Sequence, residues 1–166
     1  MAIILNGNNT PTAGAVAIGD GTTLAFTSAG TSGQLLQSNG ASAPSFTSTL
    51  ASLTLTNPTV TNYTETPYSA TPTSTITLSL TNGTVQIITL GGNVTVTMPS
   101  AVSGKSFIMF LKQDATGSRT VTWSTVKWAG GTAPTITSTA SRQDIYSFFS
   151  DGTSWYGVTV GQNYTQ

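Results

Sequence analysis

Neither cysteine nor histidine occurs among the 166 residues. That removes a disulfide framework, the usual zinc ligands, a thiol nucleophile and a Ser-His-Asp triad, so no metal and no cofactor is expected. Charge is almost as scarce, at 6 % with five basic and five acidic residues and a net charge of zero, against about 25 % in an ordinary soluble domain. Five scattered cations form no basic stripe to neutralise phosphates, so neither nucleic acid nor an anionic membrane surface is an expected partner. Long apolar runs are missing as well: none exceeds five residues, the length of Phe107 to Leu111, far below the about 20 that a membrane helix needs. Met1 to Leu5 is apolar but has no basic start and no cleavable apolar stretch behind it, so no signal peptide is expected and the product should remain in the cell that made it. No stretch has a convincing helical period.

What is abundant is the neutral hydroxyl. The chain has 34 threonines and 20 serines, the first favouring pleated strands and the second favouring turns. Composition changes near residue 67. Residues 1 to 66 carry two charges, Asp20 and Glu65, and three aromatics, Phe26, Phe46 and Tyr63. Their apolar residues come in ones and twos between Gly, Ser, Thr, Asn and Pro, too sparse to offset an ordering cost of about 1–2 kcal/mol per residue. Short β-prone pieces do occur at Gly14–Ile18, Thr22–Thr27 and Ser52–Thr56. An extended arm that becomes ordered against a partner surface, or against copies of itself, is the expectation for 1–66.

Residues 67–166 read as a run of short strands. Thr75–Leu80 alternates with period two, Asn82-Gly83 supplies a turn, and Thr84–Leu90 resumes the pattern, which together predict a hairpin. Further strands are expected at Val94–Met98, Ser106–Lys112, Thr120–Ser124, Val126–Trp128, Thr135–Thr137, Asp144–Phe149 and Ser154–Val160, with turns at Asp114–Ser118 and Asp151-Gly152. Strands spaced at about 8–12 residues mark a sandwich or small barrel. The fold class expected is all-β, an extended N-terminal arm followed by a jelly-roll-like antiparallel β-sandwich.

Chemistry has few places to reside. Paired carboxylates are the acid-base apparatus this composition permits, and Asp144 and Asp151 flank one hairpin near Arg142 or Lys105. Turn chemistry at Asp151-Gly152 and strand initiation at Asp144 account for both more simply, so no catalytic residue is assigned and no enzyme is expected. Asp20, in Gly19-Asp20-Gly21-Thr22, looks superficially like part of a calcium loop, yet no second acid lies near, and a turn is expected. Trp155 and Tyr156 are adjacent in a strand and must face opposite sides. Trp123 and one of that pair are assigned to the core; Tyr156 and Trp128, the latter beside Ala129-Gly-Gly-Thr132, are candidates for exposed aromatic contacts with a glycan or a subunit. Asn-X-Thr matches at Asn8, Asn62, Asn82, Asn93 and Asn163 occur by chance in a chain this rich in threonine.

Three segments carry a resemblance. Gly30-Thr-Ser-Gly-Gln-Leu-Leu-Gln-Ser-Asn-Gly-Ala-Ser-Ala-Pro-Ser-Phe46 is similar to a short repeat-like module near the shafts and attachment regions of phage fibre proteins. Leu53–Val60 is similar to another such phrase. Ile88–Pro99, with Gly104–Phe107 and Asp151–Tyr156, resembles the β-rich terminal domain of phage fibres and capsid-surface proteins. Over roughly residues 20 to 160 the chain thus resembles tailed-bacteriophage virion surface proteins. The resemblance implies a non-enzymatic virion component, commonly a homotrimer, and carries over no catalytic residue.

A tail fibre normally has a long shaft, whereas a short arm ending in one compact β domain fits a capsid decoration, or cement, protein. In that expectation the arm binds the major capsid protein on the outer shell through small apolar contacts such as Ile3, Ile4, Leu5 and Phe26. The protein assembles in the bacterial cytoplasm and resides on the capsid surface. Three copies associate to bury what a lone sandwich leaves exposed. The alternative is a short tail or head fibre whose terminal β domain binds a host-surface glycan, and a third reading is a hydrolase that trims surface polysaccharide.

Overall fold

A computed structural model describes residues 12–19, 24–50 and 53–166. The chain divides into two units between Thr59 and Val60. In the first, β1 (Ala17–Gly19) and β2 (Leu24–Phe26) pair antiparallel, as do β3 (Leu35–Asn39) and β4 (Ser42–Thr47). Two of the β-prone pieces read from the sequence therefore become the β1–β2 ladder, while residues 53–56 form no strand. The β3–β4 turn is tied by Asn39, whose side-chain amide donates to the Ala43 carbonyl at 2.7 Å and to Ser45 Oγ at 3.0 Å. Side chains of β3 are exposed throughout, so this unit rests on ladder hydrogen bonds more than on burial. Ile3, Ile4, Leu5 and Asp20 lie outside the described residues.

The second unit contains two sheets. Its strands are β5 (Tyr68–Ala70), β6 (Thr75–Thr77), β7 (Val85–Leu90), β8 (Val94–Thr97), β9 (Ser106–Gln113), β10 (Val121–Ser124), β11 (Val126–Trp128), β12 (Arg142–Ser150) and β13 (Trp155–Thr165). The larger sheet runs β11-β13-β12-β9-β7-β5 and the smaller β10-β8-β6. From β5 to β10 the chain alternates between them, so β5, β7 and β9 lie side by side and parallel, and so do β6, β8 and β10. The corners stack. Gly91 N–H donates to the Pro72 carbonyl at 2.9 Å, and Thr120 N–H to Asn93 Oδ1 at 3.1 Å, joining the bends that follow β5, β7 and β9. Only then does the chain turn to antiparallel pairing, β9 with β12 and β12 with β13 across the Asp151-Gly152 turn.

The expectation of an all-β protein with a two-sheet sandwich holds. Its jelly-roll order does not appear in the connections, because strands β5 to β10 wind in parallel within each sheet. The hairpin predicted across Asn82-Gly83 is a correction of the same kind: β6 pairs with β8, and β7 pairs with β5 and β9. A two-residue hairpin of the Asn-Gly type needs both central residues at positive φ. Here Leu80–Asn82 form a 3-10 turn capped by Ser79, and only Gly83 goes positive, at φ 129°. The chain consequently arches from one sheet to the other.

Sequence alternation explains the packing between the sheets. Ile88 and Leu90 of β7, Phe107, Met109 and Leu111 of β9, and Tyr146 and Phe148 of β12 point inward, where they meet Val94 and Val96 of β8. Each such side chain contributes about 1.5–3 kcal/mol on burial. Phe107 stacks on Phe148 at 4.8 Å between centroids, with Trp155 edge-on to Phe107 at 5.3 Å. The strand expected at Thr135–Thr137 is instead part of a loop, held by Gln113, whose side-chain amide donates to the Thr137 carbonyl at 2.8 Å and to the Arg119 carbonyl at 3.0 Å.

Candidate functional site

Where β8 and β10 end and β11 and β13 begin, their connections surround a cleft of about 630 Å³. It is lined by Thr97 to Ala101 after β8, by Thr125, Val126 and Lys127 at the step from β10 to β11, and by Thr153, Ser154 and Trp155 of the β12–β13 hairpin. Hydroxyls dominate its polar groups and Lys127 supplies its positive charge. The floor is rigid: Trp155 is 2 % exposed and its Nε1–H donates to the Pro99 carbonyl at 2.8 Å, pinning the loop to the hairpin. A hollow of this size, with five hydroxyl side chains, an apolar floor and Lys127 at its border, can take a hydroxyl-bearing ligand in which hydrogen bonds are exchanged pairwise.

Beside it, Asp151 organises the hairpin turn. Its Oδ1 accepts from Thr153 N–H and Ser154 N–H, both at 2.8 Å, and its Oδ2 from the Tyr156 hydroxyl at 2.9 Å. The backbone N–H groups of Ser154 and Thr153, then the Tyr156 hydroxyl, hold the Asp151 carboxyl below its ordinary value. The same hydrogen bond and the negative charge behind it push the Tyr156 phenol up. Lys127 Nζ stands 5.7 Å from the centroid of the Tyr156 ring.

The structure separates the residues singled out in the sequence. Tyr156 does face outward, half-buried, while Trp155 faces in, as strand alternation requires. Trp128 is not the exposed residue expected. Its half-buried ring lies edge-on to Trp123 at 5.3 Å and to Tyr146 and Phe148 at 5.8 Å, because β11 adds to the sheet alongside β13 and turns this side chain inward. Phe26 sits half-buried in the first unit, across the β1–β2 ladder from Ala17.

Asp144 and Asp151 do not form a carboxylate pair. They sit at opposite ends of β12, roughly 20 Å apart at about 3.3 Å per residue. Paired glycosidase carboxyls stand about 5–10 Å apart. Asp144 is 1 % exposed and serves as a hub. Its Oδ2 accepts from Thr137 N–H at 2.7 Å, the Tyr146 hydroxyl at 3.1 Å and the Gln162 amide at 3.2 Å, and its Oδ1 from Asn163 N–H at 2.9 Å. Burial raises this carboxyl, but the hydrogen bonds from Thr137, Asn163 and Gln162 outweigh it and leave the group below its ordinary value. The neighbouring Tyr146 phenol is pushed far up by burial and by the Asp144 charge.

Lys127 and the hydroxyls of the cleft were not singled out by sequence. They come from three connections separated by about 25 residues each, and only the alternation of strands between the sheets gathers those connections at one end. A family model described as "Putative phage tail fibre C-terminal domain" matches residues 42–155. No curated protein and no solved structure matches the chain.

Proposed function

We propose, given that the chain belongs to this phage tail fibre C-terminal domain family and is thus a virion-associated structural protein of a bacteriophage, that it is a short, non-enzymatic fibre component. In this reading its β-sandwich binds a host-surface glycan. The observation that carries it is the cleft of Thr97, Ser100, Thr125, Thr153 and Ser154 around Lys127, built on strand ends and a pinned hairpin. Short neutral hydroxyls match the donors and acceptors of a sugar ring, and the lysine favours a glycan bearing carboxylate or phosphate. Binding of the full chain to intact host cells and to their purified surface polysaccharide tests this. Lys127→Ala with Thr153→Val should weaken binding at least about tenfold, the loss of roughly 1.4 kcal/mol, with an unchanged melting temperature. Undiminished binding by that variant, or no binding by the parent, overturns it.

A second reading, capsid decoration by a homotrimer, is favoured by a different feature. Leu35, Leu36, Leu50, Leu53 and Leu55 are each about half exposed within a stretch poor in charge, and such side chains suit a shell surface that orders them. Co-sedimentation with capsids lacking the protein separates the two readings. Saturable binding that raises the temperature of shell disruption favours decoration; attachment to cells with no affinity for capsids favours the fibre.

A further inference from the structure

The chain steps from the smaller sheet to the larger in a single residue. Ser124 ends β10, Val126 begins β11, and Thr125 between them takes φ 63°. In this left-handed region Cβ crowds the following carbonyl, and a branch at Cβ makes the crowding worse. Elsewhere among the described residues the same demand falls on residues that tolerate it better. Nine glycines have positive φ, and so do Asn57, Ser118, Ser141 and Asn163, none of them branched at Cβ. Thr125 is the β-branched exception, and it stands in the wall of the cleft. Its neighbours hold it there: Ser124 is in register with Thr97 and Val126 with Trp155, two further residues of the lining. A residue kept at this step for the turn alone would be Gly or Asn.

The side chain is fixed along with the backbone. Thr125 Oγ1–H donates to the Ser124 carbonyl at 2.6 Å. A threonine hydroxyl has one donor and two acceptor lone pairs, so with its proton engaged inside the protein this oxygen offers the cleft an acceptor alone. We infer that Thr125 is a specificity-determining contact, held in a strained conformation so that its oxygen accepts a hydrogen bond from a sugar hydroxyl of the ligand. Strain of this kind persists where the surrounding structure over-determines it, and it clusters at binding sites. The inference rests on the reading of the cleft as a glycan site and adds a chemical direction to it. A neutral, hydroxyl-bearing stretch of the glycan lies against Thr125, and a carboxylate or phosphate, which offers acceptors alone, does not.

Substitution separates the turn from the contact. In the full chain, Thr125→Gly should raise the melting temperature by about 2–4 °C through relief of the strain. The same variant should bind the purified host-surface polysaccharide about tenfold more weakly, the loss of one acceptor. Thr125→Val keeps the branch and the strain but lacks the oxygen, so it should lose affinity with no gain in stability. Thr125→Ser keeps the oxygen and sheds the branch, and should bind within about threefold of the parent. Stability gained while affinity is lost is a combination that a purely structural role does not produce. A stabilised Thr125→Gly that binds undiminished overturns the inference and leaves a glycan site that Thr125 does not touch. A Thr125→Ser as weak as Thr125→Gly overturns it too, as does a Thr125→Gly less stable than the parent. Absence of binding by the parent overturns the glycan reading itself, and this inference with it.

Discussion

The ring of Trp128 lies directly on the backbone of Gly157: a Cβ at that glycine would stand 2.5 Å from Trp128 Cζ3. Strand β11 brings the indole to this spot by pairing parallel with β13, Trp128 opposite Gly157. The ring closes one end of a cluster with Trp123, Tyr146 and Phe148. Gly157→Ala should therefore cost about 1–3 kcal/mol through overpacking. Trp128→Ala should cost about 3 kcal/mol, the low end for removing a large aromatic because this one is half-buried. Trp128→Phe should cost much less, since the Trp128 Nε1–H has no acceptor in the protein to lose. Urea denaturation followed by tryptophan fluorescence gives all three. It follows that Trp128→Ala makes a poor probe of glycan recognition, because any loss of binding would report unfolding.

The arch between β6 and β7 yields a prediction that a hairpin would not. In the arch Gly83 alone has positive φ, and a Cβ there would also come within 2.5 Å of the Thr66 carbonyl oxygen. Gly83→Ala should cost about 1–3 kcal/mol, while Asn82→Ala, exposed at the end of the 3-10 turn, should change the urea midpoint little. Equal losses at the two positions would contradict the arch.

Those two sites show what a sequence of this kind discloses. Strands β9, β12 and β13 were legible because alternation and the Asp151-Gly152 turn act within a few residues of each other. The partner of β6 was not, because Thr75–Thr77 can pair as well with β8 as with β7, and the choice depends on stacked corners such as Pro72 with Gly91. Trp128 was misplaced because its inward turn depends on an absent side chain 29 positions away. Tyr156 was readable as the outward member of its pair. The cleft at Lys127 was not, since its lining meets only after the chain has crossed between the sheets.

Asp114 holds the bend after β9 in two ways, and substitution can separate them. Its Oδ1 accepts from Thr116 N–H at 3.0 Å and Gly117 N–H at 2.8 Å, while its Oδ2 accepts from Arg119 Nε at 3.0 Å and Nη2 at 2.8 Å. The Arg119 hydrogen bond leads in holding this carboxyl below its ordinary value. Arg119→Met leaves the turn bonds intact and removes a solvent-screened ion pair, so it should lower the urea midpoint only slightly. Asp114→Ala also frees two backbone donors and should lower it more. Repeating both in 1 M salt should shrink the arginine effect and spare the remainder.

Asp144 is the group on which acid stability should turn. Four donors converge on it, from Thr137, Tyr146, Gln162 and Asn163. Asp144→Asn keeps the shape but turns one acceptor into an NH₂ group that must oppose at least one of those N–H or O–H donors. Leaving a buried donor unmatched costs about 1–3 kcal/mol, and that loss should appear at pH 7. The pH dependence has a definite sign. The folded carboxyl lies below its ordinary value of 3.8, so the unfolded chain binds the proton more readily than the folded one. The resulting stability is fully present above about pH 4–5, where both states are ionised, and is lost as pH falls through the folded value. Asp114 and Asp151 are shifted in the same direction, so the parent midpoint should fall steeply between about pH 4.5 and pH 2. Asp144→Asn should start lower at pH 7 and fall less steeply. Parallel curves for the two proteins would show that the buried carboxylate is not among the groups that protonate on unfolding.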